Sequence, residues 1–226
     1  FPTRRSSDLP EKKSAALKKN SVLLLDSGGQ YFDGTTDVTR TIALGTPSAD
    51  MIEKNTLVLK AHIALATAVF HQNTSGDELD LIARQPLLKQ GLDYEHGTGH
   101  GIGYFLNVHE PPASIFWSSA RKSCTVALRE GMLLSDEPGI YIEGKYGIRI
   151  ENDLMVRKGN NSLYGQFMYF EPMTLCPYDL RPVNFDELNP SQIAFLGEYH
   201  RIVRERLTPL LDKDDAAWLE KVTALP

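Results

Sequence analysis

Ser21 to Asp26 (SVLLLD) is a short apolar run between polar neighbours, and such a run predicts a buried strand. Gln30 to Phe32 can continue it, Asp33-Gly34 is a hairpin-turn signal, and Asp37 to Leu44 (DVTRTIAL), rich in β-branched residues, reads as the returning strand. Ile52, Leu59, Ile63 and Ala66 recur at helical spacing behind Ser48 and Asp50, which can cap a helix running to about Phe70. Asn73-Thr-Ser-Gly breaks the pattern. A second helical stretch runs from Asp77 to Gln90, with Leu79, Ile82 and Leu87 as core candidates and Pro86 expected to kink or divide it. Gly97 to Gly103 is glycine-rich and reads as loop, extended by Pro111-Pro112. Gly131 to Asp136 and Ile140 to Ile142 are predicted strands, Gly144 to Gly147 a turn, and Ile148 to Arg157 (IRIENDLMVR) one alternating strand. Phe167 to Cys176 is a further strand, and Pro190 to Leu207 and Asp214 to Thr223 are helices.

Strands joined by hairpins and mixed with helices point to an α+β fold rather than a doubly wound parallel sheet. There is no internal repeat and no low-complexity segment. From about Pro177 the chain changes character, with Pro177, Pro182 and Pro190 leading into helix. A main domain over residues 10–176 and a C-terminal extension over 177–226 are therefore expected. Residues 1–9 (FPTRRSSDL) resemble the translation of a sequencing-adapter oligonucleotide and are expected to be foreign, the natural chain then continuing upstream.

Composition adds exclusions. The 226 residues carry a net charge of −5 with acids and bases interspersed, which gives no basic surface for a nucleic acid. The longest apolar stretch, Leu57 to Phe70, is interrupted by Lys60 and His62 and falls short of the roughly 20 residues that span a bilayer, so no membrane partner is expected. Cys124 and Cys176 form no CxxC pair and no disulfide framework; two free thiols in a reducing, cytoplasmic setting are expected.

Five residues acquire meaning together: Asp26, Asp37, His100, Glu137 and Glu151. Each has an ordinary reading alone, since an Asp at a strand end is usually a turn former and a lone loop His is usually surface or structural. Asp26 and Asp37 are expected to face each other across the first hairpin, and Glu137 and Glu151 to repeat the arrangement on a second pair of strands. Carboxylates at about 4.5–5.5 Å between Cβ atoms repel unless a cation lies between them. Four carboxylates and one imidazole suit two divalent metals; Mn²⁺, Fe²⁺, Co²⁺ and Zn²⁺ all fit such ligands. A phosphate-cradling reading of the glycine-rich run fails, because no Lys-Ser/Thr follows it and His100 sits in its centre.

The local frames carry a family resemblance. DSGGQYFDGTTDVTRT (26–41) resembles the Asp-(ten residues)-Asp segment of the pita-bread metallopeptidases. HGTGHGIG (96–103) with LNVHEPP (106–112) resembles their histidine motif, in the form closer to Xaa-Pro aminopeptidases than to methionine aminopeptidases or prolidases. SDEPGIY (135–141) and GIRIEN (147–152) resemble the two glutamate motifs. The resemblance covers about 15–176, and the tail resembles the short C-terminal domain of the longer Xaa-Pro aminopeptidases.

The resemblance implies a pita-bread fold, N-terminally truncated here, in which Asp26 binds one metal, His100 and Glu137 bind the other, and Asp37 and Glu151 bridge the two. Manganese is the first expectation among the four metals. It further implies hydrolysis of an N-terminal Xaa-Pro bond by a hydroxide bridging the metals, with Glu137 taking a proton and His109 shuttling one. His96, His100, His109 and Arg149 would contact substrate, Arg149 also steadying the bridging carboxylates. Tyr104 and Phe105 are candidates for a proline pocket, or for core. A homodimer of the full-length protein is implied. The missing upstream half would hold a further substrate histidine, so the chain alone is expected to be poorly stable or inactive. Prolidase, another pita-bread hydrolase, and a non-catalytic peptide-binding module are the alternative readings.

Overall fold

A computed structural model of the protein describes residues 16–117 and 126–226; the segment 1–9 and Cys124 lie outside the described residues. β1 (Ser21–Tyr31) and β2 (Gly34–Leu44) form a long antiparallel ribbon. Tyr31 pairs with Gly34, so Phe32 and Asp33 make the turn, one residue earlier than the Asp33-Gly34 signal suggests. β1 is also not the buried strand its apolar run predicts. None of its residues is buried and Leu25 is 49% exposed, because among the described strands it pairs with β2 alone. The buried side chains of the ribbon belong to β2.

α1 (Ala49–Ala66) starts at Ser48, whose side chain accepts the Met51 N–H at 3.2 Å. It is covered on most sides, and fully buried Leu59 and Leu65 are each worth about 1.5–3 kcal/mol of apolar burial. The helix stops at Ala66, short of the predicted Phe70: Thr67 and Ala68 close the last turn onto the Ile63 and Leu65 carbonyls. β3 (Val69–His71) follows, and it sets Phe70 against Phe170, 5.0 Å between ring centroids. α2 (Gly76–Leu88) opens on a capping box between Ser75 and Glu78 and continues unbroken through Pro86. Pro86 lies in the last turn, where it withholds one i→i−4 donor without interrupting the helix.

Within the glycine-rich segment, where loop was expected, lies a short strand, β4 (Gly99–His100), which pairs with β5 (Ser114–Ile115) just beyond Pro111-Pro112. Then come β6 (Leu133–Asp136), β7 (Gly139–Ile142), β8 (Tyr146–Arg149), β9 (Asn152–Ser162) and β10 (Gly165–Pro172). The predicted single strand Ile148–Arg157 is two: β8 pairs with β7, β9 pairs with β6, and the chain crosses between them at Ile150 and Glu151. β3, β10, β9 and β6 form one four-stranded sheet in that order. The β7–β8 connection turns on Gly144 at φ +70°, a left-handed position that glycine takes without strain.

α3 (Pro190–Leu207) begins at an Asn189–Gln192 capping box with Pro190 in its first turn, and α4 (Lys213–Thr223) follows. Leu196, Val203 and Leu219 of these helices share one buried cluster with Leu57, Leu59 and Ile63 of α1 and with Ile140 and Ile148. The expected C-terminal extension is thus built into the core. A second cluster joins the end of α1, α2 and the four-stranded sheet through Leu65, Leu79, Leu134 and Leu154. Among the described residues no helix is long and apolar enough to cross a membrane.

Candidate metal centre

The two aspartates come from the first ribbon. Asp26 pairs with Thr39 and Asp37 with Gly28, so the acids are diagonal neighbours rather than a directly facing pair. They still share a face, because side chains two residues apart on a strand point the same way. The glutamates lie on no strand. Glu137 sits between β6 and β7, and Glu151 between β8 and β9, at the two points where the chain passes from one sheet to the other. A break in a ladder frees backbone groups, and other elements take them up: the Glu137 N–H donates to Thr98 O at 2.8 Å and the Glu151 N–H to Thr39 O at 3.0 Å.

His100 is delivered by β4, whose backbone presses on β6. A Cβ on Gly99 would lie 1.9 Å from Ser135 O, so only glycine permits this approach. The His100 N–H donates to Ser135 Oγ at 3.0 Å, and that hydroxyl donates to Glu137 Oε1 at 3.3 Å. α2 holds the approach to this strand. Arg84 donates to Asp80 at 2.6 Å and to the carbonyls of Tyr94 and His96, while Thr98 donates to Asp80 at 2.5 Å.

All five predicted ligands meet, in overlapping groups. Asp26, Asp37 and Glu151 offer oxygens that lie within 4.8 Å of one another, as do the donor atoms of His100, Glu137 and Glu151 and those of Asp37, His100 and His109. His100 Nδ1 faces Gly101 O at 3.0 Å, and since a carbonyl can only accept, Nδ1 carries the proton. Its lone-pair nitrogen, Nε2, then points at Glu137 Oε1 (3.3 Å) and Asp37 Oδ2 (3.5 Å). The same logic protonates His96 at Nδ1 against Gly97 O and leaves Nε2 to accept from the Tyr141 hydroxyl at 2.8 Å. His109 is exposed and stands edge-on to His100, 4.2 Å between ring centroids.

Arg149 reaches the cluster at several points. It pairs with Asp26, donates to Tyr141 OH and Thr39 Oγ1 (3.2 Å each), and lies 3.8 Å from Glu137 Oε2. Thr39, which sequence reasoning passed over, donates to Glu151 Oε2 at 2.5 Å. Strand alternation was the available signal, since Thr39 is two residues beyond Asp37 on the same face of β2. Tyr104 and Phe105 are both exposed, hence not core, and Phe105 stacks on Phe32 at the tip of the first ribbon.

The electrostatics test whether a cation pair fits. Burial first, then the Asp26 charge, raises Asp37 to about 6. Burial raises Glu137 to about 7, against the pull of Arg149. Burial, then the charges of Glu137 and Asp37, raises Glu151 to about 9. Burial lowers His100, favouring the neutral imidazole that a metal needs. Converging acids that cannot all ionise, beside a neutral imidazole, are a donor set that divalent cations complete.

Adding a divalent cation to the metal-free protein at pH 7 is therefore expected to expel protons, chiefly from Glu151 and Glu137. Apparent affinity should rise with pH up to about 9. The sign for stability is opposite. These carboxyls bind protons more tightly folded than unfolded, so the metal-free protein should lose stability as pH climbs from the ordinary carboxylate range through about 9. Titration calorimetry in buffers of different ionisation enthalpy counts the protons; none released would contradict the reading.

Comparison with known proteins identifies the family. Residues 3–158 match metallopeptidase family M24, and residues 166–225 match the C-terminal region of peptidase_M24. Aminopeptidase P1 of Lotus japonicus is 46% identical over 215 residues, covering 92% of this chain and 32% of the relative. The probable Xaa-Pro aminopeptidase P of Coprinopsis cinerea is 44% identical over 214 residues, covering 92% of this chain and 34% of the relative. The X-prolyl aminopeptidase of Caenorhabditis elegans, described as a cytosolic enzyme with a di-nuclear active site, superposes with a TM-score of 0.88 at 40% identity, over 96% of this chain and 36% of that one. Prolidase from Pyrococcus furiosus gives 0.55 at 33% identity, over 62% of this chain and 39% of that one. The chain spans about a third of the length of these curated relatives. With the family matched over most of its length and its pita-bread fold shared with solved relatives, the chain belongs to metallopeptidase family M24.

Proposed function

We propose that the intact protein is a cytoplasmic, homodimeric aminopeptidase that removes an N-terminal residue followed by proline at the second position, using two metal ions. The observation that carries the reading is that Glu151 belongs to two donor groups at once, one with Asp26 and Asp37, the other with His100 and Glu137. A ligand shared in this way supports a bridged pair rather than two separate sites. Asp37, which is also near His100 Nε2, is the second bridging candidate.

Asp26 would then hold one ion, and His100 with Glu137 the other. Two bound cations, manganese in this reading, would supply Lewis acidity at this cluster, making a water more acidic and a scissile carbonyl more electrophilic. Glu137 takes the proton from the attacking water at a carboxylate oxygen. His109, on the open side of His100, positions the substrate and carries a proton toward the leaving nitrogen. His96, oriented by Tyr141, and His100 line the substrate's path. Arg149 keeps Asp26 and, through Thr39, Glu151 in place. A proline amide offers no N–H, so the pocket accepts a ring and forgoes a donor contact. Residues 10–176 supply the catalytic frame and 177–226 the extension.

The test uses the full-length protein. Metal analysis should find two equivalents per subunit, and Arg-Pro-Pro should be cut after arginine while Met-Ala-type peptides are left intact. Faster cleavage of Xaa-Pro dipeptides than of Arg-Pro-Pro would overturn the assignment in favour of prolidase. Absence of bound metal would return a binding module.

A further inference from the structure

We propose that Arg40 is a positioning residue of the metal centre, and that the C-terminal segment completes the site by gripping it. The inference rests on the dinuclear reading above. Arg40 follows Thr39 on β2 and therefore points to the opposite face from Asp37 and Thr39. It is 6% exposed. Its guanidinium lies 4.6 Å from the centre of the Tyr178 ring, and among the described residues no carboxylate oxygen is within salt-bridge distance of it. A buried guanidinium without a paired acid is costly unless its donors are satisfied, and here they are.

The acceptors fall into two sets. On the side of the site, Nη1 donates to Thr39 O (2.8 Å) and Glu151 O (2.5 Å), and Nη2 to Asn152 Oδ1 (2.7 Å). On the C-terminal side, Nε donates to Pro177 O (3.1 Å), and Nη2 to Cys176 O (2.7 Å) and Tyr199 OH (3.2 Å). Tyr199, on α3, is itself fixed by its single O–H, which lies 2.9 Å from both Thr174 O and Cys176 O and is shared between them. One side chain thus ties α3 and the strand exit at 174–177 to the backbone of Glu151.

That backbone has little other support, because Glu151 lies in the gap between β8 and β9. Three contacts place it, all from two adjacent residues of β2: the Thr39 carbonyl on its N–H, the Thr39 hydroxyl on its carboxylate, and the Arg40 guanidinium on its carbonyl. Thr39 sets the side chain from the front and Arg40 sets the peptide from behind. A cation held permanently behind the carboxylate that two donor groups share also offsets part of their mutual repulsion.

Lysine keeps the charge but offers three donors without the planar fork. In the full-length protein, Arg40→Lys is expected to weaken metal binding about 10- to 100-fold in chelator competition, the usual effect of losing a residue that orients a ligand. kcat should fall at subsaturating metal, with KM for Arg-Pro-Pro within about threefold, since Arg40 touches no substrate. Tyr199→Phe removes the hydroxyl that meets Arg40 and the Thr174 and Cys176 carbonyls, with ring packing kept, and should give a smaller loss, roughly fivefold in metal affinity, because the other Arg40 acceptors remain. It also keeps the test open if the Arg40 variant fails to fold. Metal affinity unchanged in both variants, with only the melting temperature lowered, would overturn the proposal and leave Arg40 a core residue. A wild-type protein that binds no metal pair would instead overturn the reading beneath it.

Discussion

Asp37→Ala in the intact protein is expected to reduce kcat/KM by roughly a thousandfold or more and to remove at least one of two bound metal equivalents. The estimate follows from several kcal/mol of transition-state stabilisation attributable to metal chemistry, at about 1.4 kcal/mol per tenfold. Asp37 is one of three candidate ligands, with His100 and Glu151, that belong to two donor groups. It belongs with Asp26 and Glu151 in one donor group and with His100 and His109 in another. It is also 8% exposed, so little water stands ready to replace its oxygens. Asp37→Asn separates the loss of a ligand from the loss of volume, since it keeps the shape and removes the charge. Both variants should fail alike, in metal content and in turnover. Activity close to wild type in either would remove the dinuclear centre from consideration.

The asymmetry between what the sequence states and what the fold adds follows the range of the interactions. Asp26, Asp37, His100, Glu137 and Glu151 were legible because each sits in a short local frame, and the frames occur in order along the chain. The hairpin that presents the aspartates was legible for the same reason, apart from a one-residue shift of its turn and their diagonal rather than facing relation. Where periodicity met a distant partner, it lost. Val69–His71 continues a helical pattern but is taken by β10. The alternation of Ile148–Arg157 conceals a break, because β7 and β6 claim its two halves. β1 has a core-like composition yet remains open to solvent.

The polar interior was invisible for a related reason. Arg40 reaches Glu151 across 111 residues and Tyr199 across 159, and nothing in DVTRT announces either partner. A strand arginine reads as surface until the C-terminal segment is seen to cover it. The same holds for the C-terminal region as a whole. Its prolines and helices look like an appendage, but Tyr178, Leu196 and Tyr199 fall within the main buried cluster.

His62→Leu is expected to destabilise the folded protein by about 1–3 kcal/mol, the cost of leaving buried polar groups without their partner. His62 lies on α1 and is wholly buried. Its Nδ1 is 3.0 Å from Asp136 Oδ2 and 3.2 Å from Asp136 O, so this nitrogen carries a proton, while Nε2 meets Tyr178 OH at 2.8 Å. Loss of the imidazole leaves Tyr178 with the Asn152 amide at 2.7 Å. Both Asp136 carboxylate oxygens are buried without a hydrogen-bond partner among the described residues, so the approach of His62 Nδ1 to Oδ2 at 3.0 Å is an electrostatic contact, and its loss leaves the carboxyl group more poorly compensated. Burial already pushes Asp136 above the usual carboxylate range, and His62 is what opposes the push. Because Asp136 immediately precedes Glu137, the damage should spread to the metal centre, and metal affinity should fall with stability. The double variant His62→Leu/Asp136→Ala removes both buried polar partners and should recover part of the loss, whereas independent sites would simply add. Urea unfolding of the two single variants and the double, followed by the fluorescence of Trp218, measures the coupling directly. A His62→Leu cost below about 0.5 kcal/mol, in the range of an ordinary surface change, would mean that the imidazole does not hold Asp136 or the segment leading to Glu137 in place.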